Sequence, residues 1–382
     1  MQRALFVTHQ NHIGTAPGGV QTCTREFIQT LEAAQIDLDV VEITHDMSLP
    51  ARAARQLNSS PFYRPVSRSS LREIVHRISK SGARLVFLNQ LALAGAIPEL
   101  RALEPHRTVK IALSHGCEVT DLVHLVRLKD TLPLSGRLRP MAQLALATVL
   151  KDEIRARREL DGVVSISAYD SQTEGWLGTR HATWLPRTVS PAPLSWRPHR
   201  DRFGFVGTLD HAPNLEGLEA ILVAIAKTGS TAIRIRIVGG PDRIGTWLVS
   251  RFPFVDYLGA LDDKGLNAEA SKWRAFLNPI FCQARGCSTK VATALAWGIP
   301  IVTTEFGRRG YLWSDGGIVE ANSPGAFASA LLDLLGEVHA QRARADAITA
   351  ARTTPSLADV ASELRTFVEA VEATVACETE GR

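Results

Sequence analysis

The sequence predicts an α/β protein with two domains, each built on a parallel sheet that is covered by helices. Three observations lead to this prediction. The chain has 382 residues, enough for two domains at roughly 100–200 residues each. Short apolar strands alternate with helical stretches along most of the chain, which is typical of parallel sheets. A proline-rich segment that contains Pro191, Pro193 and Pro198 separates the two halves.

The composition is that of a globular protein. Hydrophobic residues make up 45% of the chain, and the mean hydropathy is close to zero. No apolar stretch reaches the ~18–20 residues that a membrane-spanning helix needs, and the N-terminus leads directly into a strand, so no signal peptide is predicted. Five scattered cysteines indicate a reducing cytoplasm. Cys282 and Cys287 lack a C-x-x-C spacing and a histidine nearby in the chain, so no zinc site is predicted there.

The net charge of +4 is unevenly distributed along the chain. Residues 1–200 contain 25 Lys and Arg and 18 Asp and Glu, a net +7, whereas the remainder contains 18 and 21, a net −3. The basic half favours an anionic acceptor or membrane surface, with a solvated arginine-rich surface as the alternative. Residues 134–160 combine basic and apolar side chains, which predicts a surface helix or, alternatively, a helix that rests on a membrane. No nucleic-acid partner is predicted.

The first domain is predicted to begin with a strand, a glycine-containing loop and a helix. The strand is Ala4–Thr8, the loop contains Gly18 and Gly19, and the helix starts at Val20. This order opens a doubly wound α/β domain. A G-x-G-x-x-G pattern is absent, so no dinucleotide site is predicted. A loop is predicted over residues 47–70. Further strands are predicted at 38–43, 84–88, 109–113, 163–166 and 183–185.

A histidine and a glutamate follow the buried strand 109–113. The segment Ser114-His115-Gly116-Cys117-Glu118 starts where this strand ends. Ligands collect outside the carboxyl ends of strands in open α/β sheets, so His115 and Glu118 are candidate site residues. The alternative for His115 is a structural histidine that is hydrogen-bonded to the backbone.

The second domain is predicted to open with a strand and a turn from Phe203 to Asn214. In this turn, Gly207 and Thr208 offer backbone and hydroxyl donors toward a phosphate. Two more predicted strands each end at a glycine. They are Ile233–Val238, before Gly239-Gly240, and the segment of residues 255–258, before Gly259.

The stretch from Ala275 to Tyr311 is predicted to contain a strand, a turn, a helix and another strand. Pro279 closes the first strand because it has no N–H, and Gly298 ends the helix. Backbone N–H groups at a helix start have no intrahelical partner, and the helix dipole favours an anion there. The turn supplies a small residue, two hydroxyls and a cation: Gly286, Ser288, Thr289 and Lys290. These features predict a diphosphate site, with an ordinary strand-to-helix junction as the alternative.

The order of these motifs resembles the group 1, family-4-like glycosyltransferases, which have the GT-B fold. The most specific segment is G-x-x-x-K-V-x-x-A-L-A-x-G-I-P-I-V-T-T-x-x-G-x-x-G, from Gly286 to Gly310. The Gly18-Gly19 loop, the H-G-x-E of residues 115–118 and the F-x-G-x-x-x-x-x-P-N of residues 205–214 are also similar. One departure is clear. Retaining members have two glutamates eight positions apart, and this chain has Arg285 and Thr293 instead.

The resemblance implies two Rossmann-like domains that face each other across a cleft. Residues 1–186 would form the acceptor-side domain, 187–201 the linker, and 202–355 the nucleotide-sugar domain, while the helix in 356–382 would cross back to the first domain. The implied activity is transfer of a sugar from a UDP- or GDP-linked donor to a glycan, lipid-linked or other hydroxyl acceptor. The implied setting is bacterial polysaccharide, glycolipid or glycoconjugate synthesis, in the cytoplasm or at the inner face of the membrane, without a cofactor.

The resemblance also assigns roles to individual residues. His115 would lie beside the transferred sugar, and Glu118 or Asp121 would reach an acceptor hydroxyl and act as the base if the reaction inverts. No metal site is predicted, because the D-x-D at residues 37–39 stands at a strand start and Lys290 can take the diphosphate charge. The implied donor-binding residues are Gly18, Gly19, Gly207, Thr208, Gly239, Gly259, Gly286, Ser288, Thr289, Lys290 and Thr293.

Loss of both glutamates leaves a second hypothesis open. The chain would then be a degenerate GT-B protein that binds a nucleotide sugar or a partner enzyme without catalysis.

Overall fold

A computed structural model of the chain describes residues 2–14, 18–57, 66–104, 106–127 and 139–380. The side chains of 54–57, 121, 125, 139–144 and 379–380 lie outside this description. The chain divides into two compact units. The first comprises residues 1–123, 141–186 and 356–382, and the second comprises 124–140 and 187–355. Each unit contains one six-stranded sheet whose neighbouring strands are parallel, so the predicted α/β class is confirmed.

The chain before the linker forms six strands and seven α-helices within the described ranges, and α5 runs from the first unit into the segment that is grouped with the second. In chain order they are β1 (Gln2–His9), α1 (Gly19–Ala33), β2 (Ile36–Ile43), α2 (Leu49–Leu57), α3 (Arg68–Ser81), β3 (Leu85–Asn89), a 3₁₀ helix (Leu91–Ala96), α4 (Ile97–Leu103), β4 (Val109–Leu113), α5 (Glu118–Arg127), α6 (Arg139–Glu159), β5 (Gly162–Ser165), α7 (Ala168–Trp176) and β6 (Ala182–Trp184).

The sheet of the first unit has the strand order β2-β1-β3-β4-β5-β6. The central strands β3 and β4 are buried along their whole length, as expected for parallel strands covered on both faces. The prediction of a loop over residues 47–70 is wrong at both ends, because α2 and the start of α3 occupy the described part. Pro50 lies in the first turn of α2, where the missing N–H has no intrahelical partner to lose. Residues 58–65 lie outside the described ranges.

The chain after the linker continues with the second unit and a last helix. In order the elements are β7 (Arg202–Val206), α8 (Ala212–Lys227), β8 (Arg234–Val238), α9 (Asp242–Arg251), β9 (Val255–Tyr257), α10 (Asp263–Ala270), β10 (Ala275–Asn278), α11 (Thr289–Trp297), β11 (Ile301–Thr303), α12 (Glu305–Arg308), β12 (Val319–Glu320), α13 (Pro324–Leu334), α14 (Glu337–Arg352) and α15 (Leu357–Glu380). The second sheet has the order β12-β11-β10-β7-β8-β9.

The last helix, α15, belongs to the first unit and packs against α1 and β4. Its approach to the sheet depends on Gly162 in β5. A Cβ atom on Gly162 would lie 3.0 Å from the Phe367 ring and 3.2 Å from Val371, so a larger residue would require these side chains to shift.

The proline-rich linker has no helix or strand before β7, but it is packed against the second unit. Trp196 is buried, and its indole N–H donates to the Trp273 carbonyl at 2.8 Å. The backbone N–H of Ala192 donates to the Ala296 carbonyl at 2.8 Å. The linker therefore contributes Trp196 to a core, which the spacing of prolines does not reveal.

No described helix is long and apolar enough to cross a membrane. In α6, the basic and apolar helix noted in the sequence, Ala145 and Val149 are buried. Val149 packs with Cys117 and Val119 in one apolar cluster of the first unit. This part of the apolar face is therefore used inside the protein, as a surface helix requires.

Candidate functional site

The turn between β10 and α11 leaves a helix start open to an anion. Gly286 adopts a left-handed conformation with φ 65°, which a residue with a Cβ takes up only with strain. Ser288 is the N-cap residue, but its hydroxyl donates to Asn278 Oδ1 at 2.9 Å and makes no capping hydrogen bond. The first turn, which begins at Thr289, contains no acidic residue. The first N–H groups of α11 therefore have no capping acceptor from this turn.

Lys290 connects this helix start to the turn after β7. Its ammonium group donates to Asn214 Oδ1 at 3.0 Å, and Asn214 Nδ2 donates to the Thr208 carbonyl at 2.9 Å. A Cβ atom on Gly207 would lie 3.1 Å from Lys290 Cε, so the glycine provides space for the lysine. The structure thus brings Gly207, Thr208 and Lys290 together. Asn214 was only part of a sequence motif, and its bridging role depends on contacts that no local pattern shows.

A second cation, Arg309, lies on the other side of the same turn. It is buried, and its guanidinium donates to the carbonyls of Ala284 at 2.9 Å, Arg285 at 3.2 Å and Phe306. Arg309 Nε has no hydrogen-bond partner among the described residues. Sequence reasoning missed Arg309, since the G-x-x-G motif around it fixes only the two glycines.

Neither of these cations forms an ion pair with a carboxylate of the described residues. Burial, followed by the positive charge of Arg309, lowers the pKa of Lys290 to about 8. A buried cation is costly unless an anion compensates it. An anion at the start of α11 would therefore be favoured both by the helix and by the two charges.

Two further predicted glycines lie at neighbouring strand ends of the same sheet. Gly239 follows β8 with φ 127°, and a Cβ atom there would lie 2.1 Å from the Gly207 carbonyl oxygen. Its N–H donates to the Gly259 carbonyl at 2.9 Å, after β9. Close approach of backbone segments therefore requires glycine at 239.

The predicted donor-binding residue Thr293 lies inside α11. Its hydroxyl donates to the Thr289 carbonyl within the helix at 3.1 Å, and it adds no carboxylate.

In the first unit, a buried polar network holds His115. The imidazole Nε2 lies 2.9 Å from Asn89 Oδ1, and Asn89 Nδ2 lies 2.8 Å from Thr8 Oγ1 and 2.9 Å from Thr24 Oγ1. Since the amide nitrogen donates to both hydroxyls, Oδ1 is an acceptor and Nε2 carries the hydrogen. A neutral His115 then has its lone pair on Nδ1. The alternative prediction for His115 is a structural histidine bonded to the backbone, whereas the partner seen here is the Asn89 side chain.

The predicted residue Glu118 begins α5, and its backbone contacts a cluster of buried charged side chains. Its backbone N–H donates to Glu153 Oε1 at 2.6 Å, and burial raises the pKa of Glu153 to about 7. Arg157 makes two hydrogen bonds of 2.7 Å to the Glu174 carboxylate. The side chain of Asp121 lies outside the described residues. The loop that carries His115 and Glu118 thus packs against buried charged side chains.

The predicted glycines of the first loop are in place at a helix start. Gly19 is the first residue of α1, and Gly18 is its N-cap residue, without a side-chain hydrogen bond. Residues 15–17 of this loop lie outside the described ranges. The described part shows a helix start without a side-chain cap.

Part of the second unit matches a known protein family, and the whole chain resembles solved structures. Residues 200–337 match the family described as "Glycosyl transferases group 1". Curated proteins give no match by sequence. Among solved structures, a sucrose-phosphate synthase from Thermosynechococcus elongatus is similar over 98% of this chain and 100% of its own, with 15% identity and a TM-score of 0.65.

Two other similar structures have different reported ligands. Staphylococcus aureus TarM is 10% identical and covers 96% of this chain and 99% of its own, with a TM-score of 0.62, in a complex that includes UDP and α-GlcNAc-glycerol. Anabaena HepE with UDP-glucose is 14% identical and covers 98% of this chain and 100% of its own, with a TM-score of 0.61. The chain thus has the GT-B fold, and its residues 200–337 are similar to the group 1 glycosyl transferases.

Proposed function

We propose that this protein is a glycosyltransferase that moves a sugar from a UDP- or GDP-linked donor to an acceptor hydroxyl. The observation that carries the proposal is the charge at the start of α11. Lys290 and Arg309 lie at this helix start without a carboxylate partner among the described residues. A diphosphate supplies the anion that both cations and the open N–H groups require.

The same groups would assist the reaction. When the bond between sugar and diphosphate breaks, negative charge develops on the leaving phosphate. Fixed N–H donors of α11 and the Lys290 ammonium stabilise that charge without reorganisation. We therefore propose that no divalent cation is needed at the diphosphate. Addition of manganese to metal-free protein should leave UDP affinity unchanged in calorimetry, and a severalfold gain in affinity would contradict this part of the proposal.

The finer assignments come from the resemblance and from the ligands of similar structures. UDP is the first nucleotide to test, because TarM and HepE were both solved with UDP or UDP-glucose. We propose a glycan or lipid-linked acceptor in bacterial polysaccharide or glycoconjugate synthesis, with the protein acting in the cytoplasm. His115 and Glu118 remain our proposed contacts to the sugar and the acceptor hydroxyl.

A GT-B protein that binds its ligand without catalysis is the second candidate. The observation that favours it is the absence of a carboxylate at residues 285 and 293, where Thr293 only closes a hydrogen bond inside α11. UDP binding together with release of UDP from a UDP-sugar supports the transferase. UDP binding without turnover of any UDP- or GDP-sugar supports the second candidate.

The decisive experiment separates recognition of phosphate from recognition of nucleoside. UDP and uridine are titrated by calorimetry into the wild type, Lys290→Ala and Lys272→Ala, where Lys272 is an exposed control. A hydrogen bond from a charged donor contributes about 1.5–3 kcal/mol, so Lys290→Ala should weaken UDP binding by about 10-fold or more and leave uridine nearly unchanged. Equal losses for UDP and uridine would show that Lys290 does not contact the phosphates.

A further inference from the structure

A histidine, a glutamate and a cysteine from distant parts of the chain meet within the second unit. They are His124 near the end of α5, Glu216 in α8, and Cys282 in the loop after β10. One ligand atom from each residue lies within 4.8 Å of the ligand atoms of the other two. His124 and Cys282 are buried, at 5% and 4% exposure, and Glu216 is partly buried.

The hydrogen bonding of His124 leaves one ring nitrogen ready to bind a ligand. Nε2 lies 3.0 Å from the Gln283 carbonyl oxygen, which can only accept, so Nε2 carries the hydrogen. The lone pair of the neutral imidazole is then on Nδ1, and this buried atom has no hydrogen-bond partner among the described residues. A metal-binding histidine typically has this arrangement, with its second N–H donated to a carbonyl group.

Glu216 is oriented in a similar way. Arg127 Nη2 lies 2.6 Å and 2.7 Å from its two carboxylate oxygens. A carboxylate held by such a partner can still bind a metal ion through another lone pair. Its distance from the Cys282 loop is set by Gly217, where a Cβ atom would lie 1.6 Å from the Pro279 carbonyl oxygen. Backbone contact therefore holds α8 directly against this loop.

We propose that His124, Glu216 and Cys282 bind a zinc ion. Nitrogen, oxygen and thiolate donors suit zinc, and the thiolate disfavours magnesium, calcium and manganese. A thiolate and a carboxylate together neutralise the charge of the ion. Three protein ligands leave a fourth tetrahedral position for water. No zinc site is predicted from the sequence at Cys282, because His124 and Glu216 lie far from it in the chain.

The position of the site suggests what the ion does. Cys282 precedes the turn at Gly286 that leads into α11, and Glu216 lies two residues after Asn214. Zinc would therefore connect the turn before α11 to α8, which contains Asn214, the hydrogen-bond partner of Lys290. The ion would thus position these two elements, and this role is separate from the metal-free diphosphate contact proposed above.

Metal binding by the purified full chain tests the proposal without any activity measurement. Protein stripped with a chelator is titrated with zinc in competition with a chromophoric chelator, and with cobalt while thiolate-to-cobalt charge-transfer absorption is recorded. The wild type should bind one equivalent of zinc and show the absorption band. Cys282→Ser should lose the band and bind zinc at least 10–100-fold more weakly. Cys287→Ser is the matched control, five residues later, and should behave like the wild type.

Glu216→Gln gives a second measurement if Cys282→Ser does not fold. It keeps the size of the side chain, and it should also weaken zinc binding at least 10-fold while leaving the cobalt–thiolate band present at saturation. Zinc should raise the melting temperature of the wild type more than that of either variant. Failure of the wild type to take up zinc would overturn the proposal. Zinc binding unchanged by Cys282→Ser or Glu216→Gln would also overturn it, since the ion would then be held elsewhere.

Discussion

The strand-end regions of the two units balance their buried charges differently. Beneath the His115 loop, the fully buried Arg157 side chain pairs with Glu174 and lies 4.0 Å from Glu153. At the start of α11, Lys290 and Arg309 donate hydrogen bonds to neutral oxygens and pair with no carboxylate of the described residues. The first region therefore pairs its buried arginine within the fold, whereas the second has no carboxylate partner for its two cations among the described residues. This difference supports our proposal that the second region, and not the first, binds an anionic ligand.

The largest expected effect is a loss of stability when the buried pair of Arg157 and Glu174 is broken. Arg157→Leu leaves the Glu174 carboxylate buried without its cation, and breaking such a pair costs about 3–5 kcal/mol. Denaturant unfolding measures this loss of free energy, provided that the recorded signal reports on the first unit separately from the second. Arg158→Leu changes the exposed neighbour of Arg157 and should alter stability by at most ~0.5 kcal/mol. Similar stability of the two variants would mean that the cluster is not a stabilising scaffold.

The next effect concerns His115 and appears in turnover. A hydrogen bond that strengthens as the glycosidic bond breaks affects kcat more than donor affinity. His115→Ala should lower kcat for UDP-sugar turnover roughly 10²-fold or more, as for one positioned donor, with UDP affinity nearly unchanged. His76→Ala, at an exposed position of α3, is the control. Normal turnover of His115→Ala would remove His115 from the reaction.

The smallest effect is a pH dependence of UDP affinity, which we expect from Lys290 at the start of α11. The pKa of Lys290 is lowered from 10.5 to about 8, so the lysine loses its proton as pH rises through 8 in the ligand-free protein. UDP binding needs the protonated lysine and raises its pKa again. UDP affinity should therefore fall as pH increases above about 8, by at most about 10-fold per pH unit, while uridine affinity stays constant. Lys290→Ala should abolish this dependence, and its persistence in that variant would assign it to another group.

The same lysine has an opposite effect on the stability of the ligand-free protein. Because its folded-state pKa lies below the ordinary value, the unfolded chain binds more protons between pH 8 and 10.5. Stability should thus increase with pH in this window, as the buried charge is removed.

Sequence reasoning identified the features that depend on neighbours in the chain. The end of β10 near Pro279, the stop of α11 at Gly298 and the lysine in the first turn follow from local rules. Arg309, Asn89 and His124 escaped detection, because each acquires its role only through tertiary contacts. Periodicity and spacing cannot show which side chain a buried arginine or amide will reach.

The close packing of α15 against Gly162 has a consequence for the order in which the protein forms during synthesis. The first sheet is translated early, but its covering helix is Leu357–Glu380, near the end of the chain. Residues 187–355 of the second unit are contiguous and leave the ribosome before that helix. Domains generally fold as units during synthesis, so the second unit should mature first. The nascent first sheet would meanwhile expose the apolar face that α15 covers, until that helix has been made.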